Sequence, residues 1–189
     1  MRTEYIGLIG HGEVGKIFGA GLRACAGVRG VCAWDLKFAR PDTAGAERAH
    51  AERLGVVPQP SMQALCAASE LIVSAVTASN TLAVAQEAAV FVRPGTLFLD
   101  LNSASPGTKQ QAAACIEAAG GRYVEAGVMT SVPPYGIRVP MLLGGPHAGE
   151  LADVLNAWGL DTRVASERLG VASAIKMCRS VMIKGLEAL

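Results

Sequence analysis

Gly10, Gly12 and Gly15 stand in the run Gly10-His11-Gly12-Glu13-Val14-Gly15, a G-x-G-x-x-G spacing. In a chain with 22 glycines the spacing alone says little, and its surroundings give it meaning. It follows the apolar run Tyr5–Ile9 and opens a segment with helical spacing through Val14, Ile17, Phe18 and Leu22. Asp35 ends the next apolar stretch, 20 residues after Gly15. Strand, glycine turn, helix, strand and acid together are the pattern that holds a dinucleotide. Gly10 would make the tight turn, Gly12 would let the backbone approach a pyrophosphate, and Gly15 would let helix and strand pack closely. The helix N-terminus supplies free N–H groups and the positive end of its dipole to the phosphates. His11, Glu13 and Val14 complete the cofactor loop. Glu13 reads as a first-turn acid facing the dipole, and His11 receives no catalytic role.

Asp35 can accept hydrogen bonds from the ribose hydroxyls of adenosine, which favours NAD. Lys37 and Arg40 could each neutralise a 2′-phosphate, so NADP stays open; both also fit a solvated surface. Further polar residues follow later strand-like runs. Val76 ends the run Leu71–Val76 with Thr77 and Ser79 behind it, and Asn102 and Ser103 follow Thr96–Leu101. In an open parallel sheet, ligands bind beyond the carboxyl ends of the strands, so both segments are placed to line that crevice. Ser79 and Ser105 also fit helix caps, whereas Asn102 and Ser103 are expected to contact ligand. Lys176 lies among apolar Val171, Ala172, Ile175 and Met177. A lysine there must reach a polar cleft, have its charge suppressed, or snorkel at a domain edge.

The elements that would position these residues alternate along the chain. Strands are expected at Tyr5–Ile9, Val28–Trp34, Val56-Val57, Leu71–Val76, Thr96–Leu101, Arg122–Ala126, Arg138–Leu143 and Asp161–Val164. Helices are expected at Glu13–Cys25, Ala44–Leu54, Ser61–Ala67, Ser79–Val92, Ser105–Ala118, Pro146–Trp158 and Val171–Leu189. Such alternation requires crossovers, hence an α/β, Rossmann-type doubly wound, mostly parallel sheet with helices on both faces. The boundary is expected near Leu169-Gly170. Residues 1–169 would be the dinucleotide-binding domain, and 170–189 the interdomain helix opening a helical C-terminal domain. That last helix carries Val181, Met182, Ile183, Leu186 and Leu189. It is expected to pack on a second subunit, as a homodimer, or on that further domain.

Composition bounds the alternatives. Of the 189 residues, 51% are apolar and 17% charged, which argues for a large core and against disorder. With only 5% aromatics, small aliphatic residues must do most of the packing. A net charge of +1 without a basic stripe argues against nucleic acid as a partner. No apolar run reaches the ~18 residues of a membrane span. The start, Met1-Arg2-Thr3-Glu4-Tyr5, does not resemble a signal peptide. Cys25, Cys32, Cys66, Cys115 and Cys178 are odd in number and lack C-x-x-C spacing. Neither a disulfide framework nor a metal site is suggested, and a cytoplasmic location is expected.

Four blocks resemble the β-hydroxyacid dehydrogenase superfamily, which includes 6-phosphogluconate and 3-hydroxyisobutyrate dehydrogenases and the related imine reductases. Ile6–Gly15 resembles the family's opening strand and loop. Asp100-Leu101-Asn102-Ser103-Ala104-Ser105-Pro106 resembles its Asp-x-Ser-Thr-x-x-Pro motif beside the nicotinamide end of the cofactor. Glu125-Ala126-Gly127-Val128-Met129-Thr130-Ser131 lies where the family carries Asp-x-Pro-Val-Ser-Gly-Gly, a substrate-binding turn. Gly170–Ser180 lies where it carries Gly-x-Gly-x-x-x-Lys-x-x-x-Asn, the segment of the catalytic lysine. The resemblance implies an NAD(P)-dependent oxidoreductase acting on a small hydroxyacid or its carbonyl counterpart. It implies Lys176 as general acid/base, and Val128, Met129, Thr130 and Ser180 as substrate contacts. Met129 stands for the family's serine, Ser180 for its asparagine and Ala172 for its second glycine. These changes argue against phosphogluconate and hydroxyisobutyrate as substrates. With Ala174-Ile175-Lys176-Met177-Cys178 followed by Lys184-Gly185, the combination is similar to a phosphogluconate-dehydrogenase-related branch whose substrate the resemblance does not supply. The alternatives are imine reduction and a non-catalytic NAD(P)-binding module.

Overall fold

The computed structural model describes residues 3–187. Eight strands form one sheet. β1 (Tyr5–Ile9) leads through α1 (Glu13–Arg23) to β2 (Gly30–Trp34), and α2 (Ala44–Arg53) leads to the short β3 (Val57–Pro58). α3 (Met62–Ala68) then returns the chain to β4 (Leu71–Ser74), α4 (Thr81–Ala89) to β5 (Leu97–Asp100), and α5 (Pro106–Ala118) to β6 (Arg122–Val128). β7 (Met141–Gly144), α6 (Ala148–Ala157), β8 (Thr162–Ser166) and α7 (Val171–Glu187) complete the order. Ala188 and Leu189, the last residues of the expected final helix, lie outside the described residues.

The strand order is β3-β2-β1-β4-β5-β6-β7-β8. The chain therefore starts in mid-sheet, builds outward to one edge, and returns past β1 to build the other. The order reverses between β1 and β4, which opens a crevice at the carboxyl ends of those strands. Every residue of β4 and β5 is buried, as expected where helices cover both faces. All pairings are parallel except β6 with β7.

Several expected boundaries move. The strand expected at Arg138–Leu143 runs from Met141 to Gly144, because Gly136–Arg138 form a 3₁₀ turn and Pro140 has no N–H to give a ladder. β4 stops at Ser74 rather than Val76, whose N–H is taken by the Asn102 side chain. Ser61 caps α3 through Ala64 N at 3.1 Å, and Ser105 caps α5 through Thr108 N at 3.2 Å with Pro106 behind it. Ser79 does not cap α4. It lies in a 3₁₀ turn, its hydroxyl 3.2 Å from that of Thr77, and α4 starts at Thr81.

Candidate functional site

The loop after β1 has the geometry its glycines suggested. Gly10 has φ +97°, and a Cβ there would lie 2.4 Å from the carbonyl oxygen of Ala75. A Cβ on Gly15 would lie 2.0 Å from the carbonyl oxygen of Gly10. These two glycines are required by the fold itself. Gly12 differs: it is the N-cap of α1, its φ is an ordinary −78°, and no side chain caps the helix there. A Cβ on Gly12 would meet nothing within 4 Å. The first turn of α1 therefore presents N–H groups to open space, the surface a pyrophosphate needs. Glu13 and Val14 sit in this turn, partly or fully accessible beside that space.

Asp35 closes the loop at the end of β2. Its Oδ2 accepts the backbone N–H of His11 at 2.6 Å and its Oδ1 that of Lys37 at 2.9 Å. The remaining lone pairs are free for ribose hydroxyls. His11 offers only its main chain. Its ring is 0% exposed and packs edge-on against Phe38 and His50, with centroids 5.5 and 5.9 Å away. Burial, with the nearby Lys16 ammonium, pushes its pKa below the usual histidine range and keeps the ring neutral. Lys16 pairs with Glu47 at 2.9 Å. Asp35→Ser is expected to erode a preference for NAD over NADP by on the order of tenfold, the worth of a charge-assisted hydrogen bond. Calorimetry with both cofactors measures it; an unchanged ratio would remove Asp35 as the selector.

The crevice floor is built from the ends of β4 and β5. Asn102 accepts the Val76 N–H through Oδ1 at 2.7 Å and donates through Nδ2 to Ser74 Oγ at 3.0 Å. At 4% exposure it ties the two strand ends together at the crevice floor. Thr77 and Ser103 keep accessible surface beside it. Below them lies a polar cluster the sequence reading missed. Lys109, 0% exposed, donates to the Asp100 carbonyl at 2.7 Å and pairs with Asp100 Oδ1 at 3.0 Å. Tyr123 donates its hydroxyl to Asp100 Oδ2 at 2.5 Å, and the Asn102 N–H meets Oδ1 at 2.8 Å. Burial pushes the Tyr123 phenol well above its ordinary pKa, reinforced by Asp100, and pulls Lys109 down against that same carboxylate. Lys109 is followed by Gln110 and Gln111, a run that looks like solvated helix surface; only the length of an α5 lysine facing an Asp at a strand end could have hinted otherwise.

Lys176 does reach a polar cleft. Its Nζ donates to Ser103 Oγ at 2.6 Å, beyond the end of β5. Burial and then the Lys109 ammonium hold its pKa below the usual lysine range, and Asp100 opposes them. Met129, just past β6, receives Arg179 Nη1 on its carbonyl oxygen at 2.5 Å, so α7 also fixes the turn at Met129 and Thr130. Val128 is buried at the strand end, and Ser180 lies one helical turn beyond Lys176, half-buried.

Residues 5–148 match the family described as the NAD binding domain of 6-phosphogluconate dehydrogenase. The chain belongs to that family. Its cofactor is thus a nicotinamide dinucleotide, and the loop at Gly10–Gly15 fits one. A conserved hypothetical protein from Sinorhizobium meliloti shares 42% identity at a TM-score of 0.92, covering 100% of this chain and 62% of its own. A protein of unknown function, reported to resemble 3-hydroxyacid dehydrogenases, is 33% identical at a TM-score of 0.79, covering 97% of this chain and 66% of its own. An uncharacterised 28.5 kDa protein from Methanothermus fervidus is 28% identical over 139 residues, 74% of this chain and 52% of its own length. The chain thus spans between half and two thirds of these relatives. At 21% identity, a Mycobacterium tuberculosis 3-hydroxyisobutyrate dehydrogenase and a Myxococcus stipitatus imine reductase share the fold, with TM-scores of 0.81 and 0.78.

Proposed function

We propose that this chain is the cofactor-binding part of an oxidoreductase acting on a small hydroxyacid or its carbonyl counterpart, with NAD preferred. In this reading residues 1–169 hold the dinucleotide and 170–189 open a helical region that closes the substrate cleft. Gly10–Gly15 and Asp35 hold the pyrophosphate and adenosine ribose. The bound nicotinamide supplies or accepts the hydride. Thr77 and Ser103 border its end of the crevice, and Val128, Met129, Thr130 and Ser180 border the substrate. Lys176 holds the proton of the substrate hydroxyl: neutral, it accepts that proton during oxidation; as ammonium, it returns it during reduction.

The observation that carries the reading is the contact of Lys176 Nζ with Ser103 Oγ at 2.6 Å. It brings a depressed-pKa amine from α7 to the crevice end of β5, away from the pyrophosphate loop. The test is cofactor turnover by the full-length polypeptide against a panel of carbonyl compounds, hydroxyacids and imines. Turnover confined to imines would assign the related reduction instead, and none at all would favour a binding module.

The outer face of α7 supports an assembly. Val181, Met182 and Leu186 are each about two thirds exposed or more, at 71, 67 and 71%. Such a stripe on one helix is wider than isolated surface apolar residues account for. The 189-residue chain is expected to be a dimer by light scattering at micromolar concentration. A monodisperse monomer would leave the stripe to a helical region in the same polypeptide.

A further inference from the structure

Glu125 is an ionisable residue that the chemistry above does not use. It lies in β6 with 0% exposure. Its carboxylate is satisfied by the start of α7. Oε1 accepts the N–H groups of Gly170 at 2.7 Å and Ala172 at 3.0 Å, and Oε2 accepts the Ser173 hydroxyl at 2.8 Å. These N–H groups have no partner inside the helix, and the helix dipole favours a negative charge at this end. β7 leaves room for the carboxylate, since a Cβ on Gly144 would lie 2.5 Å from Glu125 Oε1. Gly127, two residues along the same face of β6, lets the helix descend onto the strand. A Cβ there would lie 2.9 Å from the Ala172 carbonyl oxygen and 3.5 Å from Lys176 Cβ.

α7 is therefore pinned at its first turn, and Lys176 follows Ala172 by one turn on the same side. We propose that Glu125 is the positioning residue for Lys176, anchoring the first turn of α7 to the sheet so that the ammonium is held at the end of β5. A carboxylate suits the task because both oxygens face donors. Glutamine would aim an N–H₂ at one of them and lose the charge-assisted part of each bond. The charged groups that bear on Lys176 are Lys109 on α5 and Asp100 on β5, while Arg179 on its own helix is engaged with Met129. Glu125 acts on Lys176 through the helix it holds. Loosening that turn admits water to Nζ, which relieves the burial and moves the pKa of Lys176 upward.

The inference rests on Lys176 as the acid–base group for its functional meaning, yet it is measurable without turnover. Amide exchange across residues 171–176 and the NMR titration of the Lys176 side chain are compared in the 189-residue chain and in its Glu125→Gln variant. Exchange in that turn is expected to quicken on the order of tenfold or more. The Lys176 midpoint should rise towards the ordinary lysine range, with NADH affinity unchanged. Unchanged exchange overturns the anchoring. Faster exchange with an unmoved Lys176 midpoint makes Glu125 a cap only and overturns the positioning role. If Glu125→Gln does not fold, Ser173→Ala removes one donor of the three and must shift both readouts in the same directions by a smaller amount; no shift overturns the proposal. Full turnover in a Lys176→Met enzyme would discard the acid–base reading while leaving these readouts intact.

Discussion

Gly12→Val is expected to lose NAD(H) binding by on the order of 100-fold or more while folding as the native chain does, about 3 kcal/mol or more of binding energy. The loop's three glycines separate by what a side chain would strike. At Gly15 a Cβ would lie 2.0 Å from a backbone oxygen and at Gly10 2.4 Å from another, so changes there damage the fold before they test binding. At Gly12 a Cβ meets nothing within 4 Å, and φ is −78°. A valine therefore extends into the space in front of the first turn of α1. It would displace the pyrophosphate from N–H groups that no side chain caps. Calorimetry gives the affinity, and a thermal melt within a few degrees of the parent confirms that the fold is unharmed. Equal affinity in the folded variant would move the pyrophosphate elsewhere.

Lys176→Met is expected to lower turnover by roughly 10²–10⁴-fold, the usual contribution of a general acid or base, with cofactor affinity nearly unchanged. Methionine matches the length of the lysine and removes its proton chemistry. Lys176 donates to Ser103 at the end of β5, whereas the pyrophosphate is expected at the Gly10–Gly15 loop, which is why binding and turnover should part company. Lys184 on the exposed part of α7 is the control, and Lys184→Met should retain activity. The sign of the pH dependence follows from the depressed pKa of Lys176. Oxidation requires the neutral amine, so its rate should rise with pH and level off below the ordinary lysine range. Reduction requires the ammonium and should fall through the same interval. A variant with full activity, or a profile that keeps this limb without Lys176, would take the proton role away from it.

Sequence patterning reached the glycine loop and Asp35 of the candidate site and concealed most of what supports Lys176. The alternation of apolar runs and the position of Asp35 are local signals, and β1, α1 and the loop between them appear where those signals put them. Lys109 and Glu125 gave no such signal, because hydropathy treats a buried ion and a solvated one alike. What places them inside is a partner 9 residues away in one case and 45 or more in the other. Ser79 and Ser105 look equivalent in sequence, each ahead of a helical stretch. Ser105 caps because Pro106 starts α5 at once, whereas Ser79 is held by Thr77 in a turn of its own. The reversed direction of β7 was equally hidden, since an apolar strand buried on both sides reads the same from either end.

The Asn102 tie gives the crevice two walls of unequal freedom to change. Because one amide clasps Ser74 and Val76, the end of β4 and the segment after β5 are joined into one crevice floor. The opposite wall, where Met129, Thr130 and Ser180 stand half-buried or open, is tied instead through the Met129 main-chain carbonyl, which accepts from Arg179. On the proposed reading, residues there are expected to be exchangeable without disturbing the dinucleotide. On the same proposed reading, a lineage built on this plan takes up new substrates one side chain at a time while keeping the same dinucleotide.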